Sequence, residues 1–285
     1  MENAAYKTLH IDAHSSASLT FLYENALGRL LLKLMIRPFV SKIGGAYLKT
    51  PLSKGMIKRF IANNHIDMRE YEETSFRCFN DFFKRKIKPA MRPLPTDEKA
   101  LFAPCDSKLS AYRIAPDSSF LIKGFRYTLE GLLKDTVLAK EFSGGACLIF
   151  RLMPDDYHRY CYFDAGTILT YKKIPGVLHT VRPIALMKTD VLGENFREYA
   201  VLQTTHFQKA VQMEVGAMFV GRISNHKYSG AVERGEEKGT FEFGGSTIIL
   251  LLKEGAADID ELLFENTANG LESYVKLGQR IGSAL

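Results

Sequence analysis

The sequence predicts an α+β protein, in which a helical N-terminal region is followed by a mostly antiparallel β core. The first third of the chain carries apolar residues at helical spacing. Three prolines within residues 88–95 then interrupt this pattern. Beyond them, short apolar runs separated by glycines follow one another, as is typical of antiparallel strands. We therefore expect a helical region at residues 1–95 and a β-rich domain at residues 96–285.

The composition is that of a folded protein with a mild positive charge. Apolar residues make up 46% of the 285 residues, which excludes wholesale disorder. The net charge of +6 favours an anionic partner. We find no motif that reads nucleic acid, so an anionic membrane is the expected partner. The four cysteines lack metal-finger spacing, and the N-terminus lacks the apolar run of a secretory signal. We therefore expect no metal and a reduced, cytosolic compartment.

Residues 19–43 have the pattern of an amphipathic helix, which Pro38 should end or kink. Its apolar positions are Leu27, Leu30, Leu31 and Leu34, and its basic stripe consists of Arg29, Lys33 and Arg37. Such a helix suits a membrane interface; a helix buried against the domain is the alternative. No apolar run reaches the length of about 18 residues that a membrane span requires. Contact with the membrane should therefore be peripheral.

The remaining elements follow from shorter patterns. Residues 52–85 are expected to contain further helix, and short helices are expected at 129–133 and 258–264. Strands are expected at residues 120–123, 146–152, 167–172, 199–205, 210–215, 219–223 and 247–253.

The segment Phe-Glu-Phe-Gly-Gly-Ser-Thr at residues 241–247 runs directly into the last of these strands. Two glycines before Ser246 permit unusual backbone angles and close approach, which the hydroxyl needs to attack the Gly245 carbonyl carbon. A bulge or turn that leads into a buried strand is the alternative. Asp106 in a proline-led turn and His158 at a strand end, each ordinary on its own, would complete an activated nucleophile.

Seven ordered motifs between Phe76 and the C-terminus resemble the phosphatidylserine decarboxylases, which are pyruvoyl-dependent enzymes. They are FNDFFKRKIKPAMRPLP, the turn at Asp106, the segment from Lys123-Gly124 to Leu133, LMPDDYHRY, GVLHTVRP, VGAMFVGRI and KGTFEFGGSTIILLL. The resemblance implies self-cleavage between Gly245 and Ser246 into a β subunit (1–245) and an α subunit (246–285). Ser246 would become a covalent pyruvoyl group, whose ketone accepts electrons during decarboxylation.

The same resemblance implies that the substrate is phosphatidylserine and the product phosphatidylethanolamine. The enzyme would be a peripheral protein on the cytoplasmic face of the cell membrane. Its two fragments would remain partners, and a homodimer is compatible with the family. Two other hypotheses remain open: a pyruvoyl-dependent decarboxylase of a free amino acid, and an unprocessed peripheral membrane scaffold.

The resemblance assigns Asp106 to the charge relay for self-cleavage and His158 to decarboxylation. The chain departs from the family at Cys161, where a second histidine is usual as the relay base. A thiol with its ordinary pKa near 8.5 is a poorer base than imidazole at neutral pH. The base is therefore His158, His179 or the Cys161 thiolate, unless processing is slow.

Overall fold

The computed structural model describes residues 6–10, 17–122, 124–218, 223–242 and 246–285. The described helices are α1 (Ala17–Glu24), α2 (Ala26–Met35), α3 (Pro38–Leu48), α4 (Gly55–Asn63), α5 (Phe79–Phe83), α6 (Leu129–Leu133), α7 (Thr136–Lys140), α8 (Pro183–Leu186), α9 (Val191–Glu194) and α10 (Glu261–Ala268). Short 3-10 turns occur at Pro51–Lys54, Met68–Glu70 and Pro89–Met91.

Most of the strands lie beyond residue 100. They are β1 (Thr8–His10), β2 (Ala100–Phe102), β3 (Ser107–Arg113), β4 (Ser119–Ile122), β5 (Phe125–Thr128), β6 (Ala146–Leu152), β7 (Arg159–Cys161), β8 (Gly166–Ile174), β9 (Arg197–Thr204), β10 (Lys209–Gly216), β11 (Ile223–Asn225), β12 (Gly230–Val232), β13 (Glu237–Phe241), β14 (Ser246–Leu252), β15 (Ala257–Ile259), β16 (Leu271–Val275) and β17 (Arg280–Ala284). The predicted α+β class is confirmed.

A nine-stranded antiparallel sheet forms the centre of the molecule, with the strand order β1-β16-β3-β6-β14-β10-β9-β8-β12. Strand β14 lies in the middle, and all of its residues are buried. Its side chains alternate between two cores, with Ile248 and Leu250 in one and Ile249 and Leu251 in the other. This burial on both faces explains the continuous apolar run after Ser246.

A small sheet of three strands, β11-β13-β7, covers the Ile248 face of the main sheet. Tyr160 and Phe241 from this small sheet belong to the same core cluster as Ile248. The Gln212 side chain of β10 also donates a hydrogen bond of 2.9 Å to the Cys161 carbonyl. The small sheet therefore brings the chain around His158 against the strands that flank Ser246.

The helical region differs from the expected pattern in two places. The break expected at Pro38 occurs, since Pro38 begins α3, but a second break precedes it, because the Asn25 side chain accepts hydrogen bonds from the first amides of α2. Gly28 allows α1 and α2 to pack closely, since a Cβ atom there would lie 1.9 Å from the Phe21 carbonyl oxygen. The further helix expected at residues 52–85 covers only α4, α5 and two 3-10 turns.

Helices α2 to α4 and the turn between α3 and α4 expose an unusual number of large apolar side chains, which we call the apolar helix surface. It consists of Leu27, Leu30, Leu31, Leu34, Phe39, Ile43, Tyr47, Leu52 and Met56. Each of these side chains is at least 42% exposed. None of the helices in the described ranges is long and apolar enough to cross a membrane. Such a concentration of exposed apolar side chains on neighbouring helices indicates an interaction surface.

Candidate active site

Ser246 is the first residue of β14, where it pairs with Leu152 on β6 and Gly216 on β10. Its side chain is completely buried, and its Oγ atom has no hydrogen-bond partner in the described ranges. Buried hydroxyls are normally hydrogen-bonded, so this one requires an explanation. Gly245, which carries the carbonyl group expected to be attacked, lies outside the described residues.

A cavity of about 630 Å³ opens on the face of the sheet that carries the Ser246 side chain. Directly paired residues point to the same face, so Ser246 shares a face with Gly216. Glu214 lies two residues before Gly216 and pairs with Glu198, which places Glu198 on this face too. Both Gly216 and Glu198 line the cavity, and the opposite wall is helix α3.

His158 is fully buried, and its ring packs against Phe83 at a centroid distance of 3.9 Å. Its Nδ1 atom lies 2.9 Å from the Asp156 carbonyl oxygen. A carbonyl oxygen only accepts hydrogen bonds, so Nδ1 carries the proton and Nε2 carries the lone pair of the neutral ring. The His158 carbonyl also accepts a hydrogen bond from the Phe241 amide, five residues before Ser246.

The Cys161 thiol lies in a different environment from that of a reactive cysteine. Both its amide and its Sγ atom donate to the Pro104 carbonyl oxygen, at 3.0 and 3.6 Å. Burial raises the pKa of this thiol to about 12. The thiol is therefore protonated at neutral pH, whereas a nucleophile or base requires the thiolate.

Asp106 lies in the same turn as Pro104, next to Cys161, and its carboxylate is buried. The Arg92 guanidinium donates to it at 2.6, 2.9 and 3.2 Å, and the Leu277 amide donates at 2.8 Å. These are its hydrogen-bond partners in the described part of the chain, so neither histidine bonds to it. The structure thus brings Asp106 near Cys161 without joining it to an imidazole.

His179 is linked to Gly216 through Asn195, whose side-chain amide donates hydrogen bonds to the carbonyl oxygens of both residues. Its Nδ1 atom is 3.0 Å from the Tyr23 hydroxyl, which itself accepts a hydrogen bond from the Thr180 amide. A phenol oxygen can accept a second hydrogen bond as well as donate one, so Tyr23 engages Nδ1 whichever of the two atoms carries the proton. Burial lowers the pKa of His179, while the carboxylate of Glu194, 3.5 Å from Nε2, acts in the opposite direction.

A family model described as phosphatidylserine decarboxylase matches residues 79–283, which include every group placed around Ser246 except Tyr23 and helix α3. The chain belongs to the phosphatidylserine decarboxylase family. It is 45% identical over 270 residues to phosphatidylserine decarboxylase proenzyme 2 of Clostridium acetobutylicum, covering 94% of this chain and 92% of the relative. It is 40% identical over 285 residues to the phosphatidylserine decarboxylase proenzyme of Clostridium perfringens strain SM101, covering 97% of both. The resemblance inferred from the motifs is confirmed.

This phosphatidylserine decarboxylase family member also contains a buried ionic network that the sequence did not reveal. Glu214 and Lys238 are completely buried and lie 2.6 Å apart. Asn225 donates to both Glu214 and the Tyr171 hydroxyl, and Tyr171 donates in turn to Glu198 at the cavity. Burial raises the pKa of Glu214 and lowers that of Lys238. The signal that could have revealed it is the alternation of polar and apolar residues along β10.

Proposed function

We propose that this chain cuts itself before Ser246 and then decarboxylates phosphatidylserine to phosphatidylethanolamine. Ser246 Oγ attacks the Gly245 carbonyl carbon, and an ester replaces the peptide bond while the amine of residue 246 is released. Loss of the α-proton of residue 246 then breaks the ester and leaves Gly245 with a free carboxylate. The resulting dehydroalanine tautomerises to an imine, and water replaces its nitrogen as ammonia to give the pyruvoyl group.

The observation that supports this proposal best is the buried Ser246 hydroxyl, which no described residue engages. A hydrogen bond from Oγ to a fixed carbonyl would hold the nucleophile away from its target. The residue paired with Ser246 on β10 is Gly216, which has no side chain, and a methyl group there would lie 3.2 Å from the Leu178 side chain. These surroundings fit the small pyruvoyl group, which supplies a ketone that reacts with the substrate amine and accepts electrons from the departing carboxylate.

His158 is the base that we assign to self-cleavage. Its Nδ1–H bond to the Asp156 carbonyl fixes the tautomer in which Nε2 is the basic nitrogen. His179 is engaged by Tyr23 at Nδ1 and lies 3.5 Å from the Glu194 carboxylate at Nε2, so both of its ring nitrogens already have partners, and the Cys161 thiol is protonated. We assign Asp106 a positioning role, because its ion pair with Arg92 fixes the turn whose Pro104 carbonyl holds Cys161.

The two fragments should remain associated after the chain is cut. Strand β14 would belong to the small α subunit, residues 246–285, yet it is bonded along both edges to β6 and β10 of the β subunit. Separation would expose the whole apolar strand and leave its backbone groups unpaired.

The apolar helix surface favours a lipid substrate over a free amino acid, because a soluble substrate requires no such surface. Arg29, Lys33 and Arg37 are all exposed on α2 or just after it, beside the exposed leucines. Apolar side chains with flanking basic residues are typical of peripheral binding to an anionic bilayer. We therefore place the protein on the cytoplasmic face of the cell membrane.

The proposal is tested by denaturing gel electrophoresis and intact mass of the purified chain, followed by assay on phosphatidylserine vesicles. We expect two fragments that divide before residue 246, the smaller with a pyruvoyl N-terminus, and release of CO2 with phosphatidylethanolamine. An uncut and inactive chain would support the scaffold hypothesis. A cut chain that decarboxylates only a free amino acid would contradict the lipid substrate.

Reversal of Arg29, Lys33 and Arg37 to Glu should release the enzyme from anionic vesicles. Each basic residue near an anionic surface contributes about 1 kcal/mol, so losing three weakens binding roughly a hundredfold. Vesicle sedimentation measures this loss, and activity on vesicle-borne phosphatidylserine should fall with it. Cleavage before Ser246 should continue, because that step requires no lipid.

The matched control for this variant reverses three exposed lysines away from the apolar helix surface, namely Lys134, Lys140 and Lys276. It produces the same change in net charge and should still sediment with vesicles. Equal sedimentation of the α2 variant and the parent would mean that another surface meets the membrane.

A further inference from the structure

Helix α3 presents two different faces to its surroundings. One face belongs to the apolar helix surface and carries Phe39, Ile43 and Tyr47, at intervals of one helical turn. The neighbouring face lines the cavity beside Gly216 and carries Pro38, Lys42, Gly45 and Ala46, and Lys49 follows directly after the helix. Helix α3 is therefore the wall that separates the cavity from the surface proposed to meet the bilayer.

Among the described residues, the ionisable groups that line this cavity do not balance. Three lysines face two glutamates there, Glu198 and Glu242. Lys49 pairs with Glu242 at 2.9 Å, and Lys173 pairs with Glu198 at 3.0 Å. In the described ranges, the structure records neither an ion pair nor a side-chain hydrogen bond for Lys42. Among the described lining residues, one positive charge, that of Lys42, is therefore uncompensated, and it lies on the wall nearest the apolar helix surface.

We propose that Lys42 binds the phosphodiester group of the substrate and so selects a serine that is attached to a lipid over free serine. This inference rests on the proposed function. Helix α3 lines the cavity with Lys42 and exposes Phe39 and Ile43 on its neighbouring face, so acyl chains beside those two residues would place the phosphodiester near Lys42. The serine part of the headgroup then extends towards Gly216 and residue 246. An ammonium group is a strong donor to phosphate oxygens.

The charge of the reactants is consistent with this assignment. The phosphatidylserine headgroup carries one net negative charge, since its phosphodiester and carboxylate outweigh its ammonium group. Phosphatidylethanolamine has lost the carboxylate and is neutral overall. A cavity with one excess positive charge therefore attracts the substrate more strongly than the product, which favours product release.

The test compares Lys42→Gln with Lys42→Arg and with Lys58→Gln as a matched control. Lys58 is exposed on the neighbouring helix α4 and does not line the cavity. A short-chain phosphatidylserine kept below its aggregation concentration removes the contribution of membrane binding. We expect Lys42→Gln to raise KM about tenfold or more, because it removes one charge-assisted hydrogen bond to the substrate. The value of kcat should stay within about twofold of the parent. Lys42→Arg and Lys58→Gln should retain the parental KM.

Binding to the uncut Ser246→Ala chain provides a second measurement that requires neither processing nor turnover. Calorimetry should detect the binding of glycerophosphoserine to this chain. The additional substitution Lys42→Gln should weaken that binding by about the same factor by which it raises KM. Inorganic phosphate should bind more weakly, and L-serine should be unaffected by Lys42→Gln. Phosphate binding as tight as that of glycerophosphoserine would reveal a general anion site and overturn the assignment.

Failure of this inference is distinct from failure of the proposed function. A parent chain that is neither cut nor active contradicts the proposed function. A parent that is cut and active, and whose Lys42→Gln variant keeps the parental KM and affinity, contradicts only the phosphodiester site. An equal rise in KM for Lys58→Gln would attribute the effect to surface charge in general and would also overturn the assignment.

Discussion

Ser246→Ala is expected to remain one chain of the full 32.1 kDa and to show no decarboxylase activity. The substitution removes the only atom of residue 246 able to attack the Gly245 carbonyl, so neither the ester nor the pyruvoyl group forms. A denaturing gel and intact mass measure the cut, and CO2 release measures the activity. A fragment beginning at residue 246 in the Ala variant would show that intramolecular attack by serine is wrong.

The fold of this variant should be intact, which separates loss of chemistry from loss of structure. Ser246 Oγ has no hydrogen-bond partner in the described ranges, so alanine leaves no described group unpaired. We expect the free energy of unfolding to equal that of a parent precursor within about 0.5 kcal/mol. Thr247→Ala is the matched control, because it removes a buried hydroxyl from the next residue of β14, whose side chain faces the opposite core. It should still be cut.

The central strands could be predicted from the sequence because strands that are buried on both faces consist almost entirely of apolar residues. The prediction for residues 146–152 coincides with β6, and that for 247–253 is displaced by one residue from β14. Both strands are almost entirely buried, so nearly every position is apolar and the run is unmistakable. Strands β3, β16 and β17 were not predicted because polar residues interrupt their patterns, and β2 was not predicted because it is only three residues long.

The helical region was harder to predict because its structure depends on single residues. One apolar periodicity extends through residues 19–43, yet the side chain of Asn25 caps a new helix in the middle of it. Helix 258–264 was expected too early, since Asp260 caps α10 and the preceding residues pair with β17. Part of the strand expected at residues 219–223 lies outside the described residues.

The candidate residues around Ser246 were identifiable from motifs, but their contacts were not. Asp106 was expected in a charge relay, whereas the structure pairs it with Arg92, fourteen residues earlier in the chain. The ion pair of Glu214 and Lys238 likewise joins two strands across the interior. Such pairings depend on which segments become neighbours in the fold, and the residue pattern of one sequence does not reveal this. The roles of these residues remain predictions.

His158→Gln is expected to slow self-cleavage by a factor on the order of 10²–10⁴, the usual contribution of a general base. The glutamine amide can still donate to the Asp156 carbonyl, so the local fold should survive, but it provides no basic nitrogen at neutral pH. The fraction of uncut chain is followed over time after synthesis in a cell-free system. Parental kinetics in this variant would assign the base elsewhere.

Substitutions at Cys161 and Asp106 separate the base from the residues that position it. Cys161→Ser should cut at the parental rate, because a hydroxyl can replace the thiol as a donor to the Pro104 carbonyl. If the thiolate were the base, this variant would stall, since a hydroxyl has no accessible anion near neutral pH.

Asp106→Asn weakens the ion pair with Arg92. This variant should accumulate uncut precursor, though less than His158→Gln does, while circular dichroism shows that the protein stays folded. Cys161→His should cut itself at least as fast as the parent. If this variant is not cut, the surroundings of residue 161 have adapted to the thiol.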